Sequence, residues 1–178
     1  MNIRKQNDEV FFAEDWVIQV NSLDVQLLKK QANCNPRKRA RLCIHKSTKE
    51  LLHEMLIVLT CGAYIRPHKH LGKAESFHVI EGKVDVILFD ENGMIRGVIR
   101  MGEYSSGLAF YYRVSDPFYH TLLIRSDVLV FHEITIGPFN RTDNIFADWA
   151  PEEIDKNACA NFISELSSKA EGYLLTLL

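Results

Sequence analysis

The chain's 178 residues and mass of 20.5 kDa fit one main domain with small extensions, and an apolar share of 47% is enough to bury a core without disulfide staples. Its 21 Lys and Arg against 23 Asp and Glu leave a formal net charge of −2, which argues against a surface given over to gripping nucleic acid and, with the apolar share, against disorder. The charged start from Met1 to Asp15 lacks the apolar stretch of a secretory leader, and no apolar run approaches the ~18 residues of a membrane span. Cys34, Cys43, Cys61 and Cys159 stand far apart with no C-x-x-C pair, so they read as free thiols of a cytoplasmic protein.

In chain order, Ser22 reads as the cap of a short helix reaching about Ala32, with Leu28 and Ala32 on its apolar side. Asn33 to Arg41, basic and interrupted by Pro36, reads as a loop. From about Met55 the texture changes to short Val, Ile, Leu, Phe and Tyr runs between turn residues, which predicts many short strands. The runs are Glu54–Leu59, Ser76–Ile80, Val84–Phe89, Ile95–Arg100, Thr121–Ile124 and Val128–Ile136, with turns at Glu81-Gly82 and at Asp90-Glu91-Asn92-Gly93. Pro151, Glu152 and Glu153 suit a helix start, and Ile154, Ala158, Phe162, Leu166 and Ala170 recur every four residues before Gly172, a residue type that ends helices. Strands this close together, with no helices between them, predict a mainly β barrel or sandwich over residues 51–150. A helical and loop extension (1–50) precedes it and a C-terminal helix (151–178) follows.

The chemistry concentrates in one segment. His68 and His70 are two apart, so on an extended strand both imidazoles point to one face, and a bend after them can bring Glu75 alongside. Phe77 and Val79 share the face of Glu75 and form apolar walls, whereas His78 falls on the opposite face. Two neutral imidazoles and a carboxylate suit a divalent transition metal.

The full spacing from Gly62 to Gly82, G-x5-H-x-H-x4-E-x6-G, resembles the first sequence motif of the cupin superfamily. The resemblance implies a mainly β jelly-roll barrel, flanked here by the N-terminal and C-terminal helices, with one metal held inside by the two histidines, the glutamate and a third histidine. His120 is the candidate for that third ligand, with His132 as competitor. The superfamily's second motif is weak around it, since Ser115, Pro117 and Ile124 replace its usual proline, glycine and asparagine. A closer resemblance links Asn35–His45, Tyr64–His70, Gly137-Pro138-Phe139 and Phe146–Pro151 to the WbuC family of cupin-fold metalloproteins, which recur in bacterial gene clusters for O-antigen (lipopolysaccharide) and other surface polysaccharides. That resemblance spans about Ser22 to Pro151 and implies activated-sugar metabolism without naming a reaction. Thr135 departs from it, standing where the family pattern calls for a charged residue.

A carboxylate and three imidazoles leave coordination positions open, and this donor set suits Fe, Mn, Ni, Co or Zn alike. Tyr64, Lys73 and Glu133 are candidate catalytic groups for proton transfer wherever they face inward. Arg37, Arg39 and Arg41 are either solvated surface or a site for an anionic ligand such as a sugar phosphate or nucleotide diphosphate. His45 either joins them at the barrel mouth or is a structural histidine bonded to backbone. The aromatics Phe110-Tyr111-Tyr112 and Phe118-Tyr119 read as core or dimer packing, and a homodimer is expected. Three functional classes stand open: a metal-dependent enzyme of isomerase, epimerase or oxygenase type, a non-catalytic metal- or sugar-binding regulator, and a structural or nucleic-acid-associated barrel.

Overall fold

The structure, a computed structural model, describes residues 1–177. Its strands form two sheets. The larger runs in the order β1 (Ile3–Lys5), β2 (Val10–Ala13), β3 (Arg39–Cys43), β4 (Leu52–Thr60), β11 (Val128–Ile136), β6 (Glu75–Glu81), β9 (Tyr111–Val114). The smaller runs β12 (Asn144–Phe146), β5 (His68–His70), β10 (Tyr119–Ile124), β7 (Lys83–Phe89), β8 (Ile95–Gly102). Every pairing is antiparallel except β2 with β3. From β4 onward the chain passes repeatedly between the sheets, as a jelly roll does. Gly82 makes one such crossing at φ +90°, and a Cβ there would lie 2.1 Å from the Val128 carbonyl oxygen, so only glycine fits.

The two sheets face each other over an apolar core that includes Leu59, Phe77, Val79, Val84, Val86, Leu129 and Phe131. Helix α1 (Ser22–Cys34) covers the outer face of the larger sheet, setting Leu28 and Ala32 against Ala40, Leu42, Val58 and Val130. Helix α2 (Lys156–Leu175) covers the outer face of the smaller, setting Leu166 and Ala170 against Ile87, Phe89 and Leu123. Strands buried on both faces need apolar side chains on both, which is why Val86–Phe89 reads as a continuous run rather than an alternation, while the buried Asp85 before it is paired with Arg125.

Four features differ from the sequence reading. The first 50 residues are not only helix and loop, because they supply three strands to the larger sheet. The basic segment read as loop runs into β3, in which Arg39, Arg41 and Cys43 line a cavity between the sheets while Ala40 and Leu42 pack beneath α1. Alternation with charges on the polar side of a buried strand looks like a loop when only composition is weighed. Asn21, not Ser22, caps α1, and its side chain forms a reciprocal capping box with Asp24. Helix α2 begins at Lys156 under an Asp155 cap, leaves Ile154 86% exposed ahead of it, and continues through Gly172, whose missing side chain faces open space. All four cysteines are free, Cys43 and Cys159 buried and Cys34 and Cys61 exposed. Among the described residues no helix is long and apolar enough to cross a membrane.

Because Leu166 is fully enclosed between α2 and the sheet, Leu166→Ala is expected to cost about 2–5 kcal/mol in a urea titration. A cost under about 1 kcal/mol would show that α2 is not packed on the barrel.

Candidate metal centre

The imidazoles come from neighbouring strands of the smaller sheet. His68 lies directly opposite His120 in the β5–β10 register, and His70 is two residues along β5 on the same face. The ring centroids stand 4.6 Å (His68–His120), 4.9 Å (His68–His70) and 5.4 Å (His70–His120) apart. One ring nitrogen from each falls within 4.8 Å of the others. Glu75 belongs to the opposite sheet. The bend foreseen after His70 is a crossing between sheets, so the carboxylate meets the imidazoles across the barrel interior rather than along a hairpin. Its Oε2 lies 2.9 Å from His70 Nε2 and its Oε1 3.6 Å from His120 Nε2.

Each Nδ1 is engaged on the far side of its ring. His68 Nδ1 donates to the Arg66 carbonyl at 2.9 Å, His120 Nδ1 to the Phe118 carbonyl at 3.0 Å, and His70 Nδ1 to the Asn144 side-chain oxygen at 2.7 Å. A ring that donates from Nδ1 turns its Nε2 to the interior, the orientation in which metal-binding histidines are usually held. His120 Nε2 is buried and makes no hydrogen bond. The donor set and this orphaned nitrogen fit a divalent transition ion.

Electrostatics follow from burial. Burial, with His120 beside it, pushes His68 down to about 3, so this ring is neutral. Burial alone would raise Glu75, but the facing imidazoles of His120 and His70, the latter at hydrogen-bond distance, outweigh it and hold the carboxyl well below its usual range. Burial alone would lower His120, but the Glu75 carboxylate outweighs it and raises the ring above its ordinary value. Without a metal, a proton on His120 and the charge on Glu75 favour each other, and a metal taking the His120 nitrogen would displace any proton held there.

The other sequence candidates occupy varied places. His132 faces the outside of the larger sheet, 3.7 Å from Glu54, in register with the exposed His78. Tyr64 donates its hydroxyl to the Pro151 carbonyl at 2.8 Å and packs edge-on against Phe162, and burial raises it well above its usual range. Lys73 lines the cavity but is tied to Asp143 at 2.8 Å and to the Pro138 carbonyl, which braces the turn leading to Asn144. Glu133 also lines the cavity, on the inward row of β11 between Phe77 and Met55, and burial, reinforced by the negative charge of Glu75, pushes it up to about 8.

Arg37 and Arg39 share the carboxylates of Glu9 and Glu153, with Arg37 Nη1 3.0 Å and Arg39 Nε 2.8 Å from Glu9. Arg41 lines the mouth of the cavity without a side-chain partner among the described residues. His45 is buried, bonded through Nδ1 to the backbone of Glu54 and stacked on His53 with ring centroids 4.1 Å apart. It lines the cavity as well, so both readings of His45 hold. The cavity has a volume of about 490 Å³, within the range of small-molecule sites. Sequence reasoning missed Asn144, Glu9 and Glu153, which reach their partners over long separations and carry no local spacing signal, and His53, which stacks on the nearby His45.

Comparison with known proteins adds the following. A family model described as a domain of unknown function, DUF6016, matches residues 20–101. No curated protein matches the chain. Among solved structures, protein SO0799 from Shewanella oneidensis aligns at 11% identity and TM-score 0.49, covering 60% of this chain and 72% of that one. The capsular polysaccharide assembling protein CapF of Staphylococcus aureus aligns at 17% identity and TM-score 0.47, covering 61% of this chain and 28% of CapF. A sugar phosphate isomerase from a cupin superfamily, from Silicibacter pomeroyi, aligns at 20% identity and TM-score 0.40, covering 49% of this chain and 52% of the isomerase. The chain thus spans about a quarter of CapF and about half of the isomerase. Its jelly-roll fold stands on the strand order itself.

Two expectations follow. Asn144→Ala releases His70 Nδ1, so metal affinity measured with a competing chelator should fall about 10–100-fold with the fold intact; unchanged affinity would mean that Asn144 does not orient His70. His45 and His53 are both held below their ordinary value, chiefly by burial. The folded chain resists protonating them while the unfolded chain takes up protons near pH 6.5, so stability falls as pH drops below about 6.5. Thermal melts at pH 7.5 and 5.5 should show a smaller loss for the His45→Gln/His53→Gln double variant than for the wild type. An equal loss would rule out this contribution.

Proposed function

We propose that this chain is a cupin-type metalloprotein in which His68, His70, Glu75 and His120 hold one divalent transition metal, Fe, Mn, Ni, Co or Zn. The metal is presented to a small polar metabolite, a sugar or sugar nucleotide, in bacterial surface-polysaccharide biosynthesis. The observation that carries the metal centre is the common orientation of the three rings, each with Nδ1 engaged outward and the buried carboxylate of Glu75 among them. The sugar setting is supported by the WbuC-like segments from Asn35 to Pro151.

A bound divalent ion supplies a Lewis acid for a carbonyl or diol oxygen. The protein's own contribution is in the surrounding groups. Glu133 holds a proton on its carboxyl at neutral pH and exchanges it with a hydroxyl in the cavity, which supports an enzyme over a passive binder. Phe77, Phe131 and Leu122 wall the site with apolar surface and limit water around the reacting groups. A cytoplasmic setting and a homodimer belong to the same proposal; exposed Trp16, Val17, Leu23 and Leu27 on and before α1 support the second.

Elemental analysis of untagged protein should find about one transition metal per chain, and the His68→Ala/His70→Ala variant should lose it while keeping a wild-type circular dichroism spectrum. Full metal occupancy in the folded variant would refute the proposed ligand set.

A further inference from the structure

Most charges in the cavity are already matched. Glu9 and Glu153 hold Arg37 and Arg39, Asp143 holds Lys73, and imidazoles flank Glu75. On the inner face of the larger sheet, among the described residues, two ionisable side chains have no hydrogen-bond or ion-pair partner: Arg41 and Glu133. Strand register fixes their relation. Glu133 on β11 faces Phe77, two residues along β6 from Glu75, on one side and Met55 on the other. Met55 faces Cys43 of β3, two residues from Arg41. Glu75, Glu133 and Arg41 therefore mark a diagonal across the inner face, with Glu133 between the imidazole cluster and Arg41. Two strand spacings, about 10 Å, separate the strands of Glu133 and Arg41. At the mouth, Phe139 (51% exposed) and Phe146 (50% exposed) present aromatic surface to the same cavity.

We infer that Arg41 is the anion anchor of this cavity and Glu133 its hydroxyl partner, so that the ligand is an anionic polyol. Its phosphate or carboxylate docks on the Arg41 guanidinium, whose fork of donors matches either group. A hydroxyl in mid-molecule meets the carboxyl of Glu133, and oxygens at the far end reach the imidazole cluster. Phe139 and Phe146 pack against the C–H faces of the molecule as it enters. The assignment moves the anion site away from Arg37 and Arg39, whose charges Glu9 and Glu153 already balance. It rests on the proposed metal centre only for the far-end contact.

Titration calorimetry with glucose 6-phosphate, gluconate, glucose and inorganic phosphate, on metal-loaded and metal-free protein, tests this. Glucose 6-phosphate or gluconate should bind at least about tenfold tighter than glucose; whichever is preferred identifies the anion. Arg41→Met should erase that preference with metal content unchanged, Arg41→Lys should restore part of it, and Arg37→Met should leave it intact. Glu133→Gln should weaken the anions and glucose alike, since it alters the hydroxyl contact. The inference is overturned if neither anion binds, if glucose binds as tightly as both, or if the preference survives Arg41→Met or is lost in Arg37→Met. A metal centre that fails on its own leaves an Arg41-dependent preference in the metal-free protein, so the two failures are distinguishable.

Discussion

A carboxylate buried in a barrel must be held by partners that outweigh its lost hydration, and Glu75 is held by imidazoles from the opposite sheet. That contact ties the two sheets together on the polar side of their interface. It requires the chain to cross between sheets within the few residues from His70 to Glu75, and it requires β5 and β10 to be neighbours so that His68 and His120 stand opposite each other. The outward engagement of each Nδ1 follows from the same demand. A ring free to turn could aim either nitrogen at the interior, and the carbonyls of Arg66 and Phe118 and the side-chain oxygen of Asn144 fix Nε2 as the one that faces it.

The interior has two characters. Around Val84, Val86, Leu129 and Phe131 it is close-packed and apolar, and it holds the sheets at a fixed separation. Toward β3 and β12 it opens into the cavity of about 490 Å³. The helices explain how a small barrel tolerates that opening, since each covers an outer sheet face and adds apolar burial that the cavity removes from the inside. The Glu9, Arg37, Arg39 and Glu153 network closes one side of the mouth with groups from β3, the turn before β2 and the approach to α2. Joining distant segments, it serves the shape of the cavity more than the capture of a ligand.

Much of this was legible in the sequence because the informative contacts are local. His68 and His70 share a face by strand alternation alone, Glu75, Phe77 and Val79 share another, and Val128–Ile136 forms a strand over the very residues expected. A barrel or sandwich followed from the density of short apolar runs, and the resemblance to the cupin motif implied the jelly roll. What was hidden depended on distant partners. Val10–Ala13 becomes a strand only because β3 lies beside it in parallel. Arg39–Arg41, the start of β3, read as loop because its inward row carries charge, which a cavity accepts and a packed core does not. The roles of Asn144 and of the Glu9 and Glu153 carboxylates arise only when strands far apart in the chain meet. Gly172 misled because a helix with open space on that side tolerates glycine.

The most direct test of the central claim, that three imidazoles from one sheet and a carboxylate from the other converge on a metal, is an anomalous-difference map from crystals of the Zn- or Co-loaded protein. The account predicts one strong peak about 2.0–2.2 Å from Nε2 of His68, His70 and His120 and from a Glu75 carboxylate oxygen. A peak coordinated through Nδ1, a peak at His45 and His53 or at His132, or an empty cluster in a fully loaded crystal would contradict it.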